Sequence, residues 1–140
     1  MCIAALSRVD VSIPALQAVI LAPTWALVKQ IGQRLADTSA GSQSGVRIGV
    51  RTGNFAGVYD EQKRPLHVIV ATPGTLYGEL KREEKARSYS SAASGDYDKP
   101  RLLDRLRVLF IDEAVTTCRS TPRSFLLYLT SSNHRTSFWR

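Results

Sequence analysis

Cysteine and histidine are scarce in the 140-residue sequence, which has two of each. Cys2 and Cys118 lie far apart, and neither belongs to a C-x-x-C pair or to a zinc-type Cys/His spacing. We therefore expect two reduced thiols rather than a disulfide framework or a structural zinc site. His67 begins an apolar run, and we expect a structural role for it rather than metal ligation.

Long apolar runs are missing as well. No stretch approaches the roughly 20 apolar residues of a membrane helix. The beginning, MCIAALSR, lacks a basic n-region and has too short an apolar core for a signal peptide. We expect an intracellular protein without a membrane partner, and the sequence does not distinguish the nucleus from the cytoplasm.

Acidic residues are absent from the end of the chain. The net charge is +7, but residues 1–113 contribute only +3, and the other +4 comes from four arginines that follow Glu113. A basic chain can bind nucleic acid, yet more than half of this excess lies in a segment without a clear structural pattern. The charge alone is therefore weak evidence for a nucleic-acid partner.

Residues 107–114 (RVLFIDEA) form the most informative pattern. The apolar run 108–111 is β-branched and aromatic, as is typical of a strand buried on both faces. It ends in two adjacent carboxylates, Asp112 and Glu113. This arrangement resembles the Walker B element of nucleoside triphosphatases, whose first acid holds Mg²⁺ and whose second orients or activates a water. The alternative is a solvated strand end.

Three further strands are predicted from apolar or alternating runs at 17–22, 46–51 and 67–71. Residues 3–9 have apolar positions three apart, which predicts the end of a helix. Strands that alternate with helices predict one α/β domain with a mostly parallel sheet flanked by helices. A chain of this length is at most one domain.

Two helices are predicted from their N-caps, Thr24 and Thr72, and Pro73 suits the first position of the second helix. We expect the first helix to fade into a polar loop at 37–45. The second helix should continue into a charged, solvated face. Residues 88–99 are of low complexity and predict a flexible insertion.

Polar or turn-forming residues follow every predicted strand. In open α/β sheets, ligands gather at the carboxyl ends of the strands. All four strand ends could therefore lie on one edge. They are Pro23-Thr24, Gly53-Asn54, Thr72-Pro73-Gly74 and Asp112-Glu113.

In four ordered stretches, residues 1–115 resemble the first RecA-like domain of DEAD-box ATP-dependent RNA helicases. APTWALVKQ at 22–30 is similar to motif Ia (A-P-T-R-E-L-A-x-Q), and ATPGT at 71–75 to motif Ib (A-T-P-G-R). FIDEA at 110–114 is similar to motif II (V-L-D-E-A-D), and RTGN at 51–54 lies where the family has a glycine doublet. The Thr after T-P-G and the lone Gly-Asn resemble the mRNA-export branch.

The resemblance implies a RecA-like fold, ATP and Mg²⁺ as cofactors and RNA as a partner. It implies that Asp112 holds Mg²⁺ through water and that Glu113 positions the attacking water. The residues that it implies for RNA backbone binding are Pro23, Thr24, Gly53, Thr72, Pro73 and Gly74. Strand-to-helix capping alone is the structural alternative for these residues, and both can hold together.

The sequence departs from the family pattern at several points. It contains no G-x-x-x-x-G-K-[S/T] phosphate loop and no upstream adenine-binding Q motif. Trp25 and Ala26 replace an Arg and a Glu of motif Ia, and Val115 replaces the closing Asp of motif II. The second RecA-like domain is missing from this chain. Residues 116–140 are a divergent tail, for which translation out of frame or disorder is a hypothesis.

The leading functional hypothesis is a fragment of an ATP-dependent RNA helicase that is inactive as an isolated chain. The alternative is a non-enzymatic, degenerate module that binds RNA or protein. An unrelated nucleotide-binding α/β protein would need a phosphate loop. A chain that forms no stable structure is the remaining hypothesis.

Overall fold

The computed structural model describes residues 2–42, 45–52, 57–90, 101–120, 125 and 137–139. Five strands and four helices lie along these parts of the chain, and only β2 and β3 follow each other without a helix between them. The strands are β1 (Ala18–Leu21), β2 (Ile48–Arg51), β3 (Val68–Ala71), β4 (Val108–Ile111) and β5 (Ser137–Trp139). The helices are α1 (Cys2–Leu6), α2 (Trp25–Ser42), α3 (Pro73–Ser90) and α4 (Ala114–Ser120).

The five strands form one sheet in the order β2-β3-β1-β4-β5, and every pair of neighbouring strands is parallel. This confirms the predicted α/β fold with a parallel sheet. Each residue of the central strands β1 and β3 is buried, which explains why their sequences are continuous apolar runs rather than alternating ones.

The sheet is packed on both faces, and alternate residues of each strand point to opposite layers. On one face, Ile20 and Val70 lie in a cluster with apolar side chains of α1 and α2. On the other face, Val19 and Ile69 lie in a cluster with apolar side chains of α3 and with Phe125. Full burial of each such side chain contributes about 1.5 to 3 kcal/mol.

The register places the carboxyl ends of the strands at the same level. Leu21, the last residue of β1, pairs with Ala71 of β3 and with Ile111 of β4. Arg51, the last residue of β2, also pairs with Ala71. The residues that follow these strands therefore emerge at one edge of the sheet, called the carboxyl edge below.

The boundaries of α1 and α2 differ from the predicted ones. Helix α1 ends at Leu6 rather than at residue 9, because Arg8 and Val9 donate to carbonyls only three residues back. Helix α2 continues to Ser42 through most of the predicted loop. Thr38 and Ser39 donate their hydroxyl hydrogens to the carbonyls of Arg34 and Ala36, so polar residues that often end a helix stay within it.

Helix α3 also extends further than predicted, through Ser90, so residues 88–90 are helical rather than part of a flexible insertion. The hydroxyl of Ser88 donates to the carbonyl of Glu84. The rest of the predicted insertion, residues 91–99, lies outside the described residues. The described helices include none that is long and apolar enough to cross a bilayer.

Two elements and one further residue are described in the segment after residue 113. Helix α4 follows β4 directly, β5 pairs in parallel with β4, and Phe125 is completely buried. Its ring meets that of Tyr77 edge to face, with 5.7 Å between the centroids. The proposed domain boundary at residue 115 and the out-of-frame hypothesis stay predictions.

Candidate functional site

Asp112 and Glu113 lie at the carboxyl edge, immediately after β4. The backbone N–H of Asp112 donates to the carbonyl of Leu21 at 2.8 Å, which extends the pairing of β4 with β1 by one residue. Glu113 has a φ of 46°, in the left-handed region that non-glycine residues seldom adopt. The chain thus turns sharply at the acidic pair and enters α4, which leaves Asp112 half-buried and Glu113 exposed.

Thr117 holds the backbone of both acidic residues from one turn into α4. Its hydroxyl donates to the carbonyl oxygen of Asp112 at 2.6 Å, and its N–H donates to the carbonyl oxygen of Glu113 at 2.9 Å. The Thr117 side chain is buried, so both bonds are shielded from water. The sequence analysis missed this residue, because nothing in the local pattern shows that α4 turns back over the acidic pair.

The two carboxylates are available to a ligand. Within the described part of the chain, neither makes a hydrogen bond or an ion pair through its side chain. The described residues contain no group of three or more His, Cys, Asp or Glu that could enclose a metal. A lone carboxylate with water and phosphate oxygens is a usual donor set for Mg²⁺, so Asp112 fits that ion.

Thr24 caps helix α2 at the same edge. Its hydroxyl oxygen accepts a hydrogen bond from the N–H of Leu27 at 3.3 Å, and its carbonyl accepts one from Val28 at 3.0 Å. This confirms the predicted N-cap. Pro23 is half-buried and Thr24 is exposed, so the cap faces solvent at the end of β1.

Thr72 caps helix α3 in the same way. Its hydroxyl accepts the N–H of Thr75 at 3.4 Å and shares a hydrogen bond with the Thr75 hydroxyl at 2.8 Å. Pro73, at the first helical position, is buried, whereas Gly74 is exposed. A Cβ added to Gly74 would meet no atom within 4 Å, so the backbone here is open to a ligand.

Backbone hydrogen bonds join these segments. The N–H of Ala22 donates to the carbonyl of Ala71 at 3.1 Å, which places Pro23 beside Thr72. The bond from Asp112 to Leu21 places the acidic pair on the other side of Pro23. Seven of the eight predicted site residues are thus brought to one edge, and the eighth, Gly53, lies outside the described residues.

The match to known proteins agrees with this geometry. The family model described as "DEAD/DEAH box helicase" matches residues 1–120. The chain belongs to the DEAD/DEAH box helicase family. The resemblance found in the sequence is therefore confirmed, and the carboxyl edge of this helicase-family domain is the candidate site. No curated protein matches the chain.

Solved structures of yeast Dbp5 share the fold. Dbp5 from S. cerevisiae bound to Gle1 and IP6 has a TM-score of 0.61 and 17% identity, and the match covers 99% of this chain and 38% of that one. The structure with Nup159, Gle1, IP6 and ADP gives 0.60 and 17%, covering 99% and 39%. The structure with RNA and ADP BeF3 gives 0.58 and 16%, covering 99% and 37%. The chain thus spans less than two-fifths of these relatives, and the likeness supports the RecA-like fold alone.

Arg51, the last residue of β2, is a second residue at the carboxyl edge that the sequence analysis did not select. Its Nε donates to the carbonyl of Gly57 at 3.0 Å, and its Nη2 donates to the carbonyl of Tyr59 at 2.7 Å. Burial lowers the pKa of Arg51, and the nearby Glu79 carboxylate opposes this effect. Arg51 therefore fixes the chain segment that returns after β2.

His67 lies at the amino end of β3, away from the candidate site. Its Nδ1 accepts the backbone N–H of Arg47 at 3.1 Å, and its Nε2 lies 2.7 Å from Nη2 of the same arginine. Burial, and then the positive charge of Arg47, lower the pKa of His67, while Asp10 opposes this effect. The predicted structural role of His67 is confirmed.

Proposed function

We propose that this chain is the RNA-binding part of the first RecA-like domain of an ATP-dependent RNA helicase. One observation supports this most strongly. The register of the parallel sheet brings the N-termini of α2 and α3 and the Asp112-Glu113 pair to one edge. A single ligand-binding surface can therefore combine backbone donors for RNA with carboxylates for a nucleotide-bound cation.

The RNA contacts in this proposal are made by the starts of α2 and α3. The first N–H groups of a helix have no partner within the helix and favour anions, so they bind phosphate. Thr24, Thr72 and the open backbone at Gly74 would contact the sugar-phosphate backbone, with Pro23 and Pro73 fixing the direction of the chain. Such contacts do not distinguish bases. The relative Dbp5 has been solved with RNA and ADP BeF3, which supports RNA as the partner class.

The nucleotide chemistry in this proposal belongs to Asp112 and Glu113. Asp112 would hold Mg²⁺ through water, and the bound ion would neutralise charge on the transferred phosphate. Glu113 would orient the attacking water, for which its exposed carboxylate is free. Thr117 acts through these residues as a positioning residue, because it fixes the carbonyls of both.

We expect the 140-residue chain to bind RNA without hydrolysing ATP. Its sequence contains no phosphate loop, and phosphate positioning with charge neutralisation supplies most of the catalysis in phosphoryl transfer. The alternative function is a non-enzymatic module that binds RNA or protein. The change of a charged Arg–Glu pair in motif Ia to Trp25-Ala26 favours this alternative.

A place in the mRNA-export branch is a finer proposal. The sequence supports it through Thr75 after T-P-G and through the Gly53-Asn54 pair. Relatives with the same fold include structures of Dbp5 with Gle1 and, in one of them, with Nup159.

The test is a titration of fluorescein-labelled oligouridylate with the full chain across a salt series, together with an ATPase assay. We expect binding that weakens as salt rises, because phosphate contacts release counterions, and no RNA-stimulated ATP turnover. Asp112→Asn is the control for the ATPase assay. Flat titrations at low salt would remove the RNA proposal. RNA-stimulated turnover that Asp112→Asn abolishes would contradict the expected inactivity.

A further inference from the structure

A large aromatic side chain lies exposed beside the proposed RNA surface. Trp25 is the first residue of α2 and directly follows the Thr24 cap, and 55% of its surface is accessible. A single exposed apolar residue needs no special explanation. Trp25 differs in that a cation is held against its ring at the carboxyl edge.

The cation is Lys29, one helical turn further along α2. Its Nζ lies 4.0 Å from the centroid of the Trp25 ring, which is a cation–π contact. The i, i+4 spacing puts both residues on the same side of the helix. Both side chains face solvent, so the pair presents an aromatic ring and a positive charge together.

This combination suits one kind of ligand. Surfaces that bind single-stranded nucleic acid pair aromatic rings, on which bases stack, with cations that follow the backbone. With Lys29 in place, 55% of the Trp25 surface is accessible to solvent, and a base would stack on the ring face opposite Lys29. The negative charge of a phosphate complements Lys29 and the overall charge of +7.

We infer that Trp25 and Lys29 form a stacking site for one base of single-stranded RNA, with Lys29 contacting a neighbouring phosphate. The inference rests on the proposed RNA binding and adds a base contact to it. The backbone contacts at Pro23, Thr24 and Gly74 would fix the strand. Trp25 would then engage a base without selecting its identity, because every base has a flat face.

The test compares the full chain with Trp25→Ala, Trp25→Phe, Lys29→Ala and Tyr59→Ala on two labelled probes. One probe is a short oligouridylate, and the other has the same backbone but abasic positions. Tyr59 is the control for an exposed aromatic ring outside α2, since it is 53% exposed and lies between β2 and β3, where it pairs with Pro65. Circular dichroism verifies that each variant is folded.

We expect Trp25→Ala to weaken oligouridylate binding by roughly tenfold. Trp25→Phe should retain most of the affinity, and Tyr59→Ala should bind like the unchanged chain. The unchanged chain should lose affinity for the abasic probe, and Trp25→Ala should bind both probes alike. Lys29→Ala should reduce the slope of log affinity against log salt by about 0.7.

Three results would overturn the inference. If Trp25→Ala binds oligouridylate as well as the unchanged chain does, RNA binding stands and the stacking site is wrong. A protein partner would then be the better occupant of this surface. If the unchanged chain binds both probes equally, Trp25 does not contact a base, whatever the variants do. If the unchanged chain binds no RNA, the proposed function fails and this inference fails with it.

Discussion

The hydroxyl of Thr117 donates a 2.6 Å hydrogen bond to the carbonyl oxygen of Asp112. This bond links α4 to the last residue before the sharp turn at Glu113. Because Thr117 is buried, no solvent competes for the bond. The position of the acidic pair thus depends on a helix that follows it in the sequence.

Thr117→Val should therefore destabilise the fold. The substitution keeps the shape of the side chain but leaves the Asp112 carbonyl without this donor, which costs about 1 to 3 kcal/mol. Urea denaturation measures the loss in the free energy of unfolding. Thr116→Val makes the same change at an exposed position of the same helix; it is the control and should lower the free energy of unfolding by less than Thr117→Val does. Equal effects of the two variants would show that the Thr117 bond adds nothing.

Phe125→Ala tests whether the segment after residue 120 packs on the core. The Phe125 side chain is completely buried and contacts the ring of Tyr77, so its removal should cost about 3 to 5 kcal/mol. Thermal or urea denaturation measures this loss in the free energy of unfolding. An unfolding free energy that falls by less than about 1 kcal/mol would mean that Phe125 is not part of the core in solution.

Stability should decrease as the pH falls below about 6.5. The pKa of His67 is lowered in the folded chain from its ordinary value of 6.5, so the unfolded chain binds a proton first. Stability is then fully present above pH 6.5 and is lost as the pH falls through that value. Both ring nitrogens face donors of Arg47, so a protonated ring has no acceptor there. Urea midpoints measured between about pH 7.5 and about pH 5 follow the effect.

His67→Gln is the control for this pH dependence. Its stability at neutral pH should be lower, because a buried ring is lost, but it should vary less between about pH 7 and 5. Asp10 does not contribute to the change in stability over this pH range. The hydrogen bond from the Ser12 hydroxyl is the main cause that lowers the pKa of Asp10 below its ordinary value of 3.8. If the stability of His67→Gln decreases with pH as steeply as that of the unchanged chain, another group causes the pH dependence.

Glu83 and Glu84 offer a matched pair on α3. Glu84 forms one exposed ion pair with Lys81 at 2.8 Å. Glu83 pairs with Arg87 and also accepts the backbone N–H of Leu102 at 3.0 Å, across 19 residues. The two ion pairs have the i, i+3 and i, i+4 spacings of neighbours on a helix surface. Glu83→Ala should cost about 1 kcal/mol more than Glu84→Ala. Chemical denaturation of both variants gives the difference, and equal losses would contradict the role of the Leu102 bond.

Much of the fold could be predicted because its signals are local. A strand buried on both faces must be apolar throughout, which makes β1 and β3 recognisable in the sequence. β4 has the same apolar pattern, but its last two residues, Phe110 and Ile111, are only half-buried. Thr24 and Thr72 are N-caps whose function involves only the next few residues. The parallel order then brings Pro23, Thr72 and Asp112 to one edge without further information.

Other features depend on contacts that the local sequence does not show. The hydroxyls of Thr38 and Ser39 bond back to the helix, so α2 passes through a segment that composition favours as a loop. Thr117 acquires its role only when α4 turns over Asp112. Arg51 binds the carbonyls of Gly57 and Tyr59 through its side chain, and this contact is specified by tertiary structure alone.

The most direct test of the carboxyl edge as an RNA surface compares Gly74→Glu with Gly41→Glu. Both glycines are exposed helical positions where an added Cβ meets no atom within 4 Å, but Gly74 lies at the edge and Gly41 at the far end of α2. We predict that Gly74→Glu weakens oligouridylate binding about tenfold, since a carboxylate close to a phosphate costs 1 kcal/mol or more. Gly41→Glu, with the same change in net charge, should bind nearly as the unchanged chain does. If both variants lose the same affinity for oligouridylate, RNA binding depends on the net charge of the chain and not on this edge. If Gly74→Glu binds as the unchanged chain does, RNA does not occupy this edge.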